Sequence, residues 1–280
     1  MEAGGHACTG ALAGALTSSA IGGLTGADLG AAGTAVGALL GAGAALLPDL
    51  DADGATAYRS GGPITGIVGE VFQVLARIAY RRTRMPHDPA GDGEHRGLVH
   101  TPVFALVLGL LVGIGAQITQ WVTAVVMVLV LAPGISALSR SGPRWVRRVL
   151  KTHRDLPAIA FALLITAGLS MSGAMADLGW YAGASLSVGM IVHSAGDSAT
   201  RSGIPWCWPL RRPCAKCAVT DAGRCRGARW RRSHILPEPM RWRVGSKSGK
   251  RIERVIEVVC LLVVAWLLLP DLAALVRDVA

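Results

Sequence analysis

The sequence predicts an all-α, polytopic transmembrane bundle of about seven spanning or near-spanning helices, with one further amphipathic helix at the interface. Three observations predict it. Hydrophobic residues fill 51% of the 280 positions and charged residues only 16%, with a mean hydropathy of +0.45. That leaves too little polar surface to cover a soluble domain. The apolar residues gather into uncharged runs, and nearly all the basic residues fall in the loops between alternate pairs of runs. A glycine count of 36 fits the same class, because small residues let membrane helices approach closely.

The first two runs, Thr9 to Ala27 and Ala31 to Leu47, are rich in Ala and Gly and slightly short of the ~20 residues that a bilayer core asks for. With Asp28-Leu29-Gly30 as the turn they predict a helical hairpin. Pro48 stops the second helix, and an acidic loop follows to Gly62. Ile64 to Tyr80 has helical apolar spacing but also carries Glu70, Gln73 and Arg77, which places it on the membrane surface or against the bundle. Thr101-Pro102 reads as an N-cap followed by proline at the first helical position. Val103 to Ala116 and Trp121 to Leu138 are uncharged and rich in Val and Leu. Leu156 to Met175, Leu178 to Val192 and Val255 to Pro270 complete the set.

This order puts the loops at 48–100, 139–155 and 194–254 on one side. Of the 28 Lys and Arg, Arg277 alone falls on the other. The positive-inside rule makes the loop side cytoplasmic and places the chain in the inner (cytoplasmic) membrane as a multi-pass protein. It also accounts for the net charge of +10 without nucleic acid, so the lipid bilayer is the expected partner. The start of the chain has Glu2 and His6 where a signal peptide has a basic region, and a cleavable leader is not expected. Three units follow: a membrane-embedded domain over 1–200, a basic loop over 201–254, and a C-terminal helix and tail over 255–280. Nothing in the sequence sets the oligomeric state.

The residues that could carry chemistry lie at the ends of the runs. His193 and Asp197 are spaced by four, so on a helix they share one face and could hold the same metal ion. Such groups at the end of an apolar span are costly to place without a task. Thr200 could support a ligand by hydrogen bonding. Asp49, Asp51 and Asp53 alternate in LLPDLDADG; in an extended segment their carboxylates could converge. The same letters open an EF-hand loop, but Ser60 stands where its bidentate Glu belongs, which argues against calcium. His95 and His100 flank Arg96 in EHRGLVHTP, with His100 just before the Thr101 cap. Two imidazoles could point back at a site at the helix mouth, while Arg96 binds a carboxylate or an anionic oxygen. His6, at the start of the first run, is the weakest candidate by position. Every one of these groups falls on the predicted cytoplasmic face.

No HExxH, GxSxG or GxxxxGK[ST] occurs, which disfavours a zincin-type protease, an α/β-hydrolase and a P-loop enzyme. Cys207, Cys214, Cys217 and Cys225 form C-x6-C-x2-C-x7-C in the basic loop. In a reducing cytoplasm four thiolates suit a structural zinc better than disulfides. The adjacent RCRGARWRR could bind anionic lipid, and Cys8 and Cys260 read as ordinary buried thiols.

HRGLVHT at 95–101, LPDLD at 47–51 and HSAGDSATRSGIPWCWPL at 193–210 together resemble the YdjM-type family of membrane-bound, metal-dependent hydrolases. That family combines an early His, a PDxD loop, an HRG-x-x-HS/T element and an H-x-x-x-D-x-x-T-x-x-G…WP element. The resemblance runs from His6 to about Leu210, and the cysteine cluster departs from it. It implies His6, Asp49, Asp51, His95, His100, His193 and Asp197 as metal ligands, with Arg96 and Thr200 in support. A more distant similarity to the zinc phospholipase C and P1 nuclease group rests on His193 and Asp197. It implies phosphoester hydrolysis at paired metals.

The sequence therefore leads to a metal-dependent hydrolase acting at the cytoplasmic membrane face on a phosphoester or lipid headgroup. Zinc is the favoured metal and manganese the alternative. Asp51 or Asp53 would serve as general base and Arg96 would hold the anionic substrate. The competing reading is a non-enzymatic membrane anchor whose basic, Cys-rich loop recruits a partner or nucleic acid.

Overall fold

A computed structural model describes residues 1–25, 30–52, 55, 63–91, 93, 95–141, 156–175, 178–210 and 227–279 of the chain. Among these residues there are eight α-helices and no strand. They are α1 (Ala3–Thr25), α2 (Gly30–Ala44), α3 (Pro63–Thr83), α4 (Pro102–Ile118), α5 (Gln120–Ser141), α6 (Leu156–Met171), α7 (Leu178–Ser198) and α8 (Lys247–Val279). Short 3₁₀ turns occupy Pro48–Asp51, Leu98–His100 and Glu238–Met240. Two isolated bridges, Thr200 with Trp242 and Ile204 with Ser233, tie the end of α7 to the polar segment before α8.

Each expected helix is present, but the bounds shift where burial or proline chemistry overrides the apolar pattern. α1 begins at Ala3, six residues before the apolar run, because His6, Ala7 and Cys8 are buried inside the bundle. α8 begins at Lys247 and continues past Pro270 to Val279. α5 likewise carries Pro133 in its interior. Thr101 caps α4 as its spacing predicts: its hydroxyl accepts from Phe104 N at 3.2 Å, with Pro102 opening the helix.

The central layer is α1, α2 and α7, and glycine lets the three approach. Gly10 and Gly14 of α1 lie on Gly41 and Gly37 of α2, with backbone against backbone. Gly189 of α7 lies against Ala44 and Gly41 of α2, so α7 seats on the same helix. α4 packs on α7, where Ser187 Oγ donates to Ala105 O at 3.1 Å. α5 packs on α2, and α6 on α5. The apolar core formed between these helices includes Leu40, Leu46, Met127, Leu131, Leu186 and Met190.

Among the described residues two stretches are long and apolar enough to cross a membrane by length and composition, Gly30–Asp51 and Gln120–Ser141. α4 and α6 are apolar but have 17 and 16 residues. At ~1.5 Å per residue they cover roughly 24–26 Å of a hydrocarbon core about 30 Å thick. The expected helices are thus present in order, but among the described residues two satisfy the length and apolarity test and the seven expected spans are not shown.

A smaller cluster sits beside the bundle. Tyr80 of α3 and Trp208 both lie against the Trp230 ring, at centroid distances of 5.3 and 5.2 Å. Buried Asp88 holds this corner. Its carboxylate accepts from Met85 N, Arg229 N and Trp230 N at 2.7–2.8 Å.

Candidate metal centre

Four chain segments converge at one end of the central layer. α1 brings His6, the turn after α2 brings Asp49 and Asp51, the turn before α4 brings His95, Arg96 and His100, and α7 brings His193 and Asp197. The turn is 3₁₀ over Pro48–Asp51, not extended, which corrects the expected backbone, while the Asp49 and Asp51 carboxylates still converge on one imidazole. Asp49 and Asp51 share His100, whose Nδ1 lies 3.3 Å from Asp51 Oδ2 and whose Nε2 lies 3.9 Å from Asp49 Oδ1, and each reaches one further imidazole. Asp49 Oδ1 lies 3.6 Å from His193 Nε2, while Asp51 Oδ1 accepts from His95 Nδ1 at 2.9 Å. Asp53 lies outside the described residues.

Three overlapping groups result: His6, Asp49 and His193; His100, His193 and Asp197; and Asp51, His95 and His100. In each, one ligand atom per residue lies within 4.8 Å of the others. His6 and His193 stack with ring centroids 3.8 Å apart, and His100 meets His193 edge-on at 4.9 Å. Gly196, one turn below His193, makes room for the His6 ring: a Cβ there would meet His6 Cε1 at 3.3 Å.

His193 shows how such a site is held. Its Nδ1 hydrogen bonds to Ala45 O at 2.7 Å, so the carbonyl accepts and Nδ1 carries the proton. That leaves the Nε2 lone pair facing Asp49 and Asp197, an orientation typical of metal-ligating histidine. Asp197 is the most heavily engaged carboxylate. Oδ1 lies 2.6 Å from the Met1 α-amino group and 3.4 Å from His6 Nε2, and Oδ2 lies 3.1 Å from Arg96 Nε. The Arg96 contact has ion-pair distance but not hydrogen-bond alignment, since both atoms lack a hydrogen-bond partner. Arg96 N also donates to Asp51 Oδ2 at 3.2 Å, and its φ of 57° is an uncommon left-handed conformation for a side-chain-bearing residue. One residue thus touches both carboxylates.

The site is dry. His6, His100 and His193 are 0% exposed, Asp51 3% and Asp197 1%. Burial works against a charged His100, but the carboxylates of Asp51, Asp49 and Asp197 outweigh it and push its pKa up to about 10. Both nitrogens of His6 and His100, Nε2 of His193 and Oδ2 of Asp197 are buried without a hydrogen-bond partner. Orphaned buried groups on this scale are expensive. A divalent cation among them would take the lone pairs of the imidazoles, displacing the proton that the carboxylates hold on His100, and the charge of the carboxylates, so the residues fit a metal. The histidine and aspartate donors suit zinc or manganese without selecting between them.

Thr200 stands at the edge. Its hydroxyl donates to Asp197 O at 2.7 Å, so it fastens the end of α7, and His234 Nδ1 lies 3.0 Å from Thr200 O. Of the cysteines predicted to hold a second, structural zinc, Cys207 is a free, half-buried thiol. Cys214, Cys217 and Cys225 lie outside the described residues. The Ala45 carbonyl and Gly196 carry no sequence signature and were not foreseeable. The Met1 amine contact likewise follows only from how α1 enters the bundle.

No curated protein and no solved structure matches the chain. The sequence model described as YdjM inner membrane protein matches residues 1–272, and the chain belongs to that family.

Proposed function

We propose that this member of the YdjM inner membrane protein family is a multi-pass, metal-dependent phosphoester hydrolase with its site on the cytoplasmic face. The observation that carries the reading is the set of orphaned imidazole nitrogens aimed at buried carboxylates from four segments of the chain. His6, Asp49, His193 and Asp197 would hold one metal and Asp51, His95 and His100 a second, with His100 near enough to Asp197 to join the two. Zinc is the favoured ion and manganese the alternative. Seven crossings follow if the five helices other than α3 that miss the length and apolarity test also span, the short ones with local thinning of the bilayer.

A bound divalent metal supplies Lewis acidity and a nucleophilic water at neutral pH. The chain's own groups do the rest. Arg96, 15% exposed in its side chain, lies at the rim with its N–H groups able to hold an anionic phosphoryl oxygen. Asp51 orients the half-exposed His95 ring through its Nδ1, so that Nε2 would face the second metal, and the Asp51 carboxylate would serve as general base. Thr200 fixes the end of α7 that presents Asp197.

The test is turnover of a chromogenic phosphodiester, bis(4-nitrophenyl) phosphate, by zinc- or manganese-loaded protein in bilayers. Activity that disappears in His100→Ala supports the proposal. Equal turnover in wild type and His100→Ala, or none in either metal form, refutes it.

A further inference from the structure

α3 has three distinct sides, not two. Positions 65, 69, 72, 76 and 80 are buried on the bundle. Phe72 meets Phe104 of α4 edge-on at 5.6 Å. The second side carries Glu70, Gln73 and Arg77, and Gln73 Nε2 donates to Asp51 O at 3.2 Å, so this side borders the metal centre. The third carries Ile64, Ile67, Val71, Val74, Leu75 and Ile78, each 42–62% exposed. At 3.6 residues per turn these six form one unbroken stripe along the helix.

A stripe of this length on an aqueous surface would cost free energy at every residue. The chain itself points to the occupant. It belongs to a family of inner membrane proteins, and Arg81, Arg82 and Arg84 stand exposed where α3 ends. An apolar stripe beside a polar side, closed by basic residues, is the pattern of a helix lying in the plane of an anionic leaflet.

We infer that α3 is seated in the leaflet with its outer stripe among acyl chains, which sets the mouth of the metal site at headgroup depth and makes its substrate a phosphoester of a membrane lipid. The substrate class rests on the hydrolase reading above; the seat does not. The polar side of α3 runs from the leaflet surface to Asp51, so a headgroup reaches Arg96 and the metal centre while its acyl chains stay in the bilayer. A freely soluble phosphoester has no use for such a helix.

Two measurements on the full chain in phosphatidylglycerol–phosphatidylethanolamine bilayers test this. In the first, the photoreactive residue p-benzoylphenylalanine is placed at Ile67 or Val71, with Glu238 in its exposed 3₁₀ turn as the water-facing reference. Phospholipid adducts from Ile67 and Val71 but not Glu238 support the seat. A covalent dimer of this chain, or no adduct above the Glu238 level, overturns it and leaves the hydrolase reading intact. In the second, metal-loaded protein is given phosphatidylglycerol in the bilayer or its deacylated, water-soluble headgroup phosphodiester. Turnover of the lipid at least tenfold faster supports the substrate class. Comparable rates overturn it with the seat standing, and no turnover of either overturns it together with the hydrolase reading.

Discussion

Replacing Gly41 by alanine should weaken a metal site that lies eight residues further along the chain. Gly41 faces α1, and a Cβ built there meets the carbonyl oxygen of Gly10 and stands 2.7 Å from Gly14 Cα. That is 0.7 Å inside the 3.4 Å at which ordinary contact begins, and the atoms met are backbone, with no side chain to rotate away. The two helices must therefore separate by most of an ångström. α1 carries His6 and the end of α2 carries Asp49, and both belong to the same ligand group. Overpacking alone should cost about 1–3 kcal/mol of stability. Misplacement of supporting geometry lowers metal affinity by about 10–100-fold. The assay is metal retained after dialysis against a graded chelator, read with thermal unfolding in the same bilayer preparation. Gly23→Ala is the matched control, since nothing lies within 4 Å of its added methyl. A Gly41→Ala protein that holds metal as tightly as the Gly23→Ala control would refute the reasoning.

Three further outcomes follow from single contacts. Asp197→Asn keeps the shape of the side chain but removes the charge facing the Met1 amine, Arg96 and the histidines. It should lose about 3–5 kcal/mol of stability, because buried partners are left uncompensated; thermal unfolding at matched lipid content measures it. Asp88→Ala frees three backbone N–H groups and should cost about 1–3 kcal/mol for each that stays buried. It should speed proteolysis near Arg229 while leaving metal content unchanged. Arg96→Gly relieves the left-handed backbone at φ 57° but removes the guanidinium. Kinetics with the chromogenic phosphodiester should show a KM raised by about tenfold or more with retained metal, as expected for a lost anion contact.

The helices were legible because their signal is collective. Eight apolar or amphipathic runs, each broken by Pro, Gly or charge, correspond to the eight helices among the described residues. Their ends were less so, since Ala3 to Cys8 carries too little hydrophobicity to declare itself and is helical through burial. The candidate ligands were legible for a different reason. His193 and Asp197 stand at a helical spacing that aims both inward, and the topology put His6, the Asp49 turn and the His95–His100 turn on the same face. What spacing could not give was pairing. It suggested that Asp49 and Asp51 converge from an extended loop, whereas Pro48 starts a 3₁₀ turn from which both reach His100 while Asp49 also faces His193 and Asp51 also holds His95. Nor could it find the Ala45 carbonyl on His193 Nδ1, because any residue supplies a carbonyl. The outer stripe of α3 is the intermediate case. Its amphipathicity was visible, but its third side needed the neighbours that bury the first.

The central claim is that the buried histidines and aspartates exist to hold metal. The most direct test is elemental analysis of purified wild-type protein against the double variant His193→Ala with Asp197→Ala. Wild-type protein should carry one or more zinc or manganese ions per chain, and the double variant should lose that share with helix content retained. Equal metal in both proteins, vanishing only when Cys207, Cys214, Cys217 and Cys225 are replaced, would contradict it and favour a membrane anchor built around the cysteine loop.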